Sequence, residues 1–142
     1  MLRILYLLLI IFLSQTFILS SCEKTEYPFN QSEENIVKVE VILMGELQGL
    51  YTEHEVTVIK EVSLKDSKFI DDFRKIDCKR AFGDPAELTP GDKGFKVIYK
   101  NGDYQIITQS TQGRHRSGKY FNTGYYSFDE EQFNDLIEKY SY

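Results

Sequence analysis

Phe95-Lys96-Val97-Ile98-Tyr99-Lys100-Asn101-Gly102-Asp103-Tyr104-Gln105-Ile106-Ile107-Thr108 is the stretch on which the fold turns. Asn101-Gly102 stands between two runs rich in β-branched and aromatic residues. Both residues tolerate positive φ, so the pair predicts a two-residue type I′ turn closing an antiparallel hairpin. Counting outward from that turn, Lys100 is expected to face Asp103, Tyr99 to face Tyr104, and Val97 to face Ile106. The tyrosine and valine–isoleucine pairs then share one face, and an opposite-charge pair closes the turn.

Further strands flank this hairpin. Ile36 to Met44 alternates, with Val37, Val39, Val41 and Leu43 on one face and Lys38 and Glu40 on the other, the mark of a half-buried strand. A second strand is expected over His54 to Val62, antiparallel to the first. Leu64 to Ile76 reads as a helix, because Phe69, Ile70, Phe73 and Ile76 fall on one apolar face. A short extended piece from Cys78 to Phe82 precedes the break at Gly83-Asp84-Pro85, and Ala86 to Gly94 reads as loop. Gly113 to Gly118 reads as a polar, basic loop. Lys119 to Phe128 reads as one bulged strand or two short ones. Asp129 as N-cap with Gln132 three residues on predicts a capping box, and Phe128 with Phe133 predicts a hydrophobic staple. Phe133, Leu136, Ile137 and Tyr140 continue the apolar stripe. These elements imply an α+β fold: a two-layer domain of a mostly antiparallel sheet, five to seven strands, with two amphipathic helices.

At the other end of the chain, Ile4 to Leu13 is an uninterrupted apolar run behind Arg3, and Leu19-Ser20-Ser21-Cys22 closes it before the polar Glu23-Lys24-Thr25-Glu26. This resembles a bacterial lipoprotein signal with its lipobox. The resemblance implies cleavage between Ser21 and Cys22 and lipidation of Cys22. The alternative is an uncleaved transmembrane anchor, since a helix from Ile4 to Ser21 would be about 27 Å long, near the thickness of a bilayer core. Both readings put the remainder outside the cytoplasm. The expected organisation is a signal helix at 1–21, lipidated cysteine and tether at 22–34, and one domain at 35–142. Two acyl chains on Cys22, as the resemblance implies, suffice for stable anchoring.

Net charge is −5 for the whole chain, with 17 Lys and Arg against 22 Asp and Glu. Loss of Arg3 with the signal leaves −6. Such a balance argues against an anionic leaflet or nucleic acid as a partner through the overall field, with Arg114-His115-Arg116 a local exception. With Cys22 lipidated, Cys78 is left without a disulfide partner, and reads as a small buried apolar residue or as an exposed thiol.

The motifs that carry chemistry are few. The two histidines, His54 and His115, lie far apart, and no His-x-x-x-His, Cys-x-x-Cys, calcium loop or Gly-x-Ser-x-Gly setting occurs. Glu53-His54-Glu55 alternates across a strand, which points His54 away from its neighbours. Asp129-Glu130-Glu131 suits the positive end of a helix dipole, and Asp71-Asp72 reads as a solvated helix face. No catalytic residue, cofactor or metal is expected. The candidate binding residues are the basic Arg114-His115-Arg116, for an anionic partner, and Tyr104, Tyr120 and Tyr126, drawn from ten tyrosines in a chain without tryptophan. The plainer reading of the tyrosines is rings in the core with hydroxyls at its margin.

Phe82-Gly83-Asp84-Pro85, Ile98 to Tyr104 and Phe128 to Tyr140 together resemble small exported proteins, often lipoproteins, of Gram-positive bacteria. These are turn and cap signals, so the resemblance implies a shared fold and carries no catalytic residue over. The expected function is that of a membrane-anchored, extracytoplasmic, monomeric, non-catalytic module binding a protein or envelope component. The alternative is a small-ligand or glycan binder using a tyrosine-rich face.

Overall fold

Lys93–Tyr99 (β4) and Tyr104–Thr108 (β5) do form the antiparallel hairpin, but one rung away from the expected register. Ile98 pairs with Tyr104, Val97 with Gln105, Lys96 with Ile106 and Phe95 with Ile107. The turn has three residues rather than two. Gly102 N donates to Tyr99 O at 2.9 Å, and Tyr99 N donates to Asp103 O at 2.9 Å. Gly102 takes φ +84°, the geometry of a tight turn followed by a glycine bulge. Asn101 serves the turn with its side chain: its Oδ1 accepts from Asp103 N at 3.1 Å, and its Nδ2 donates to Asp103 Oδ2 at 2.8 Å. A one-residue slip moves side chains to the opposite face. Tyr99 and Tyr104 are therefore not a cross-strand pair, and lie in separate apolar clusters.

The structure is a computed structural model that describes residues 29, 31–46, 55–65, 67–80, 89–109, 112–116, 119–122 and 126–142. The expected signal at 1–21, Cys22 and the Gly83-Asp84-Pro85 break lie outside the described residues. Ile36–Met44 (β1), Val56–Val62 (β2), Gln112–Arg116 (β6) and Lys119–Asn122 (β7) join the hairpin in a six-stranded sheet of order β2-β1-β4-β5-β6-β7. Every pairing in it is antiparallel. Cys78–Arg80 (β3) and Tyr126–Phe128 (β8) form a separate antiparallel ladder. With helices Phe69–Phe73 (α1) and Glu130–Ser141 (α2), this is an α+β fold with a mostly antiparallel sheet.

Four expectations need correction. The basic segment Arg114-His115-Arg116 is not a loop: it is β6, hydrogen-bonded between β5 and β7. Gln-Gly-Arg-His-Arg has no apolar alternation, and its strand form comes from its neighbours rather than its own propensity. The helix expected over Leu64–Ile76 is only five residues long. Ser67 N bonds back to Ser63 O at 3.1 Å before it, and Ile76 N reaches Phe73 O at 3.3 Å after it. Its apolar face survives, since Phe69, Phe73 and Ile76 are buried. Val37 leaves the apolar face of β1, because the register against β4 shifts between Ile36 and Lys38, and it is half exposed. Glu40, Ile42 and Met44, on the other face, are buried instead.

The fourth concerns the tether. Phe29 is buried, its ring 5.2 Å from that of Phe73. Glu33 forms an ion pair with Arg74, and Gln31 reaches Asn101. The last part of the stretch 22–34 is therefore packed onto the domain, which begins before Asn35.

One face of the sheet carries the main core. Val39, Val41, Val62, Phe95, Val97, Tyr99 and Ile107 meet Phe69 and Phe73 of α1 and Phe133, Leu136 and Ile137 of α2. Phe73 is the hub, with ring centroids 5.4 Å from Phe128, 5.6 Å from Phe69 and 5.8 Å from Phe95. A second cluster of Ile42, Met44, Tyr104 and Ile106 lies apart from it, with Val56 and Ile98 against it. All five residues of β5 are buried, which is why its sequence does not alternate.

The start of α2 follows the expected pattern with one change. Asp129 Oδ1 accepts from Gln132 N at 3.0 Å, and Phe128 stacks on Phe133 at 5.3 Å. Gln132 does not close the capping box. Its Oε1 accepts from Asp77 N at 2.8 Å and its Nε2 donates to Asp77 Oδ2 at 3.1 Å, tying α2 to the start of β3.

Candidate functional site

The sheet brings three of the six candidate binding residues into one row. Tyr104 on β5 pairs with His115 on β6, and His115 pairs with Tyr120 on β7. Arg114 sits between Gln105 and Phe121, and Arg116 pairs with Lys119. Tyr126 is not part of this row: it pairs with Arg80 on the separate ladder. The side chains of Arg114, His115, Arg116, Tyr120 and Tyr126 lie outside what the structure describes, so the row is a statement about backbone positions.

Tyr104 itself is no exposed binding aromatic. It is 7% exposed, and Lys96 Nζ stands 4.3 Å from its ring centroid. A cation over a tyrosine face is attracted by the ring quadrupole. The plainer reading also fits two other tyrosines. Tyr99 is buried and donates its hydroxyl to Gln105 Oε1 at 3.0 Å. Tyr140 packs against the main cluster and donates to Asp72 Oδ2 at 2.8 Å.

The best-defined polar cluster is one that the sequence does not announce. Asp72 of α1 accepts from Lys139 Nζ at 2.6 Å, from Tyr140 and from Lys75 Nζ at 3.1 Å. It is far from the solvated helix face expected, with its side chain 14% exposed. The Lys139 ammonium, the Tyr140 hydroxyl and Lys75 hold its carboxyl well below the usual carboxylate range. Burial, together with the neighbouring Asp72 charge, pushes the Tyr140 hydroxyl up to about 12. An open groove of about 310 Å³ runs beside this cluster, with Ile76 and Leu136 among its apolar lining and Gln132 and Asp135 among its polar lining. A carboxylate with three donors and a lowered pKa is a poor general base near neutral pH. Its evident work is to join α1 to α2.

A second charged cluster lies on the sheet. Glu40 and Glu61 face each other across β1 and β2, an unfavourable like-charge pairing. Lys38 Nζ bridges them at 2.7 Å and 3.0 Å. Hydrogen bonding to Glu40, then Glu61, pushes the Lys38 pKa up.

Cys78 falls between its two readings. It is half buried against the main core with a free thiol, and burial pushes that thiol's pKa up. A raised pKa lowers the thiolate fraction and hence reactivity. Glu53 and His54 lie outside the described residues, and among the described residues no group of three metal-ligating side chains occurs. Among the same residues no helix is long and apolar enough to cross a membrane.

No protein-family model matches this chain, and no curated protein or solved structure matches it significantly.

Proposed function

We propose that the protein is a lipid-anchored, extracytoplasmic lipoprotein whose folded part is a non-catalytic interaction module for a protein or envelope component. The observation that carries this reading is Leu19-Ser20-Ser21-Cys22 at the end of an apolar run behind Arg3. The apolar run directs export, and the cysteine is the acceptor for the lipid. Metabolic labelling with a radioactive fatty acid tests the anchor. Label should enter the native chain and be lost in Cys22→Ser, whereas equal labelling of both removes the lipoprotein reading. Affinity recovery from solubilised membranes, with the anchored chain as bait, tests the module.

The alternative is a small-ligand or glycan binder, and the row of Tyr104, His115 and Tyr120 positions favours it. The burial of Tyr104 weighs against it. A glycan-array signal lost in Tyr120→Ala would support it, and a signal that survives Tyr120→Ala would remove the tyrosine row as the site.

A further inference from the structure

Of the chain's five asparagines, Asn101 alone is followed by glycine. That dipeptide has a chemistry of its own. Glycine sets no side chain beside its backbone nitrogen, so the nitrogen can approach the amide carbon of the preceding side chain. Asn101 and Gly102 are both exposed, which gives water and base access. What opposes the reaction is the way the β4–β5 turn holds the reacting groups. The nucleophile is engaged, since Gly102 N donates to Tyr99 O at 2.9 Å. The Asn101 amide is engaged at both ends: Oδ1 accepts from Asp103 N at 3.1 Å, and Nδ2 donates to Asp103 Oδ2 at 2.8 Å. Gln31 Nε2 adds longer contacts to Asn101 Oδ1 at 3.3 Å and to Asp103 Oδ2 at 3.4 Å. For Gly102 N to attack Asn101 Cγ, the side chain must let go of Asp103 and the nitrogen must leave Tyr99 O.

We propose that Asn101 is a site of spontaneous covalent modification, converted through a cyclic imide with Gly102 to aspartate and isoaspartate at a rate set by the Asp103 clasp. In the first step a base removes the Gly102 amide proton, and the nitrogen attacks Asn101 Cγ. The Cγ–Nδ2 bond breaks, and Nδ2 takes up a proton and leaves as ammonia. In the second step water adds to one of the two imide carbonyls. Opening on the Cγ side leaves aspartate. Opening on the α-carbonyl side leaves isoaspartate, with the main chain now running through the side-chain carbons. The balance is asparagine plus water giving the acid plus ammonia, with no change of oxidation state. Loop motions are far faster than this chemistry, so the rate follows the fraction of time the turn is open.

Neither product fits the turn. Aspartate puts an anionic oxygen where Nδ2 stands, 2.8 Å from Asp103 Oδ2, and a donor–acceptor contact becomes a like-charge one. Isoaspartate lengthens the main chain by a methylene carbon and upsets the spacing that lets Tyr99 N reach Asp103 O. The turn also fastens the stretch leading into β1, through Gln31 and through Lys100 N, which donates to Asn35 O at 2.8 Å. Conversion therefore loosens that stretch and the hairpin together. This chemistry is independent of the anchor at Cys22.

The test ages the full chain, in detergent and mildly alkaline heavy-oxygen water, and follows the peptide that spans Asn101 by chromatography and mass spectrometry. Conversion incorporates heavy oxygen and yields separate aspartyl and isoaspartyl peptides. The folded chain should convert at least about tenfold more slowly than the same chain held unfolded in urea, as for a turn open no more than about a tenth of the time. Asp103→Ala removes the side-chain half of the clasp. It should raise the rate severalfold in the folded chain and leave the rate in urea close to that of the native chain. Leu136→Ala weakens the core without touching the turn, and at equal unfolding free energy it should convert more slowly than Asp103→Ala. Absence of conversion in urea overturns the site, and a product of aspartate without isoaspartate overturns the imide route. Equal rates in the folded and unfolded chains overturn the control by the turn. A Leu136→Ala rate that matches Asp103→Ala does so too, because conversion then passes through the unfolded chain. Asn101→Asp makes one product directly and should lower the denaturant midpoint, whereas an unchanged midpoint overturns the stated effect on the hairpin.

Discussion

Gly102 holds the β4–β5 turn at φ +84°, in the region where a Cβ meets the neighbouring carbonyl. Gly102→Ala should lower the unfolding free energy by about 1–2 kcal/mol, read as a shifted denaturant midpoint with unchanged slope. Gly94 is constrained differently: a Cβ there would lie 2.3 Å from Ile107 O, which belongs to the paired strand. Gly94→Ala must push β4 and β5 apart and should cost about 3 kcal/mol or more. If Gly94→Ala proves milder than Gly102→Ala, the close pairing of these strands is wrong. Asp72 and Tyr140 make a pH-dependent contribution with two opposite limbs. The folded pKa of Asp72 is depressed, so its stabilisation is present above the unfolded value near 4 and is lost as pH falls below it. Tyr140 is shifted upward, so its contribution is intact below about 10 and disappears as pH rises through about 12. Denaturant midpoints across pH should show the acid limb weakened in Asp72→Asn and the alkaline limb weakened in Tyr140→Phe. Parallel curves for both variants and the native chain would mean that the cluster does not join the helices in solution. Nothing local in the sequence points to this cluster. Asp72 and Lys139 are 67 residues apart, and the only hint is that each lies near the edge of an apolar helical stripe.

Among the elements, the stretch leading into β1 buries one large side chain, Phe29, while Gln31, Glu33 and Asn35 make its polar contacts with the domain. Phe29→Ala should cost about 3 kcal/mol, at the lower end for an aromatic core deletion because the site lies at the margin of the core. Amide exchange should then accelerate at Asn35 and Lys100, whose backbones are joined, before it does in β5. Uniform acceleration through the sheet would show that this entry stretch is no separate unit. How far such elements can be read from sequence depends on where their specification lies. The start of α2 was legible because its signals are local: Asp129 caps Gln132 N, and Phe128 meets Phe133 within one turn. The existence of the hairpin was legible from Asn101-Gly102, but its register was not. That dipeptide fits both a two-residue turn and a three-residue turn with Gly102 in the bulge, and the choice reverses Tyr104. The β6 strand was illegible because Gln112 to Arg116 carries no alternation and gains its form from β5 and β7. The candidate site shared that fate. Reading Arg114-His115-Arg116 as a loop hid the fact that His115 falls in a row with Tyr104 and Tyr120.

At the scale of the molecule, the sheet binds two apolar clusters into one structure. Ile42 and Ile106 belong to the smaller cluster, while Val41 and Ile107, their immediate neighbours in β1 and β5, belong to the larger. Neither cluster can come apart without moving strands that the other needs. Ile106→Ala, remote from every helix contact in the main core, should therefore destabilise the whole domain by about 2–5 kcal/mol. The loss should appear in the same transition that Phe73→Ala shifts. Unfolding followed by backbone circular dichroism and by the near-ultraviolet signal of the tyrosines should give coincident curves for the native chain and both variants, as a two-state domain requires. The tyrosines make that comparison informative, because Tyr104 reports on the smaller cluster and Tyr99 on the larger. A separate early transition in Ile106→Ala, with the Phe73 side of the sheet still folded, would divide the molecule into two units. The shared burial of β5 argues against such a division, since a strand covered on both faces loses its stabilisation on both when it leaves the sheet.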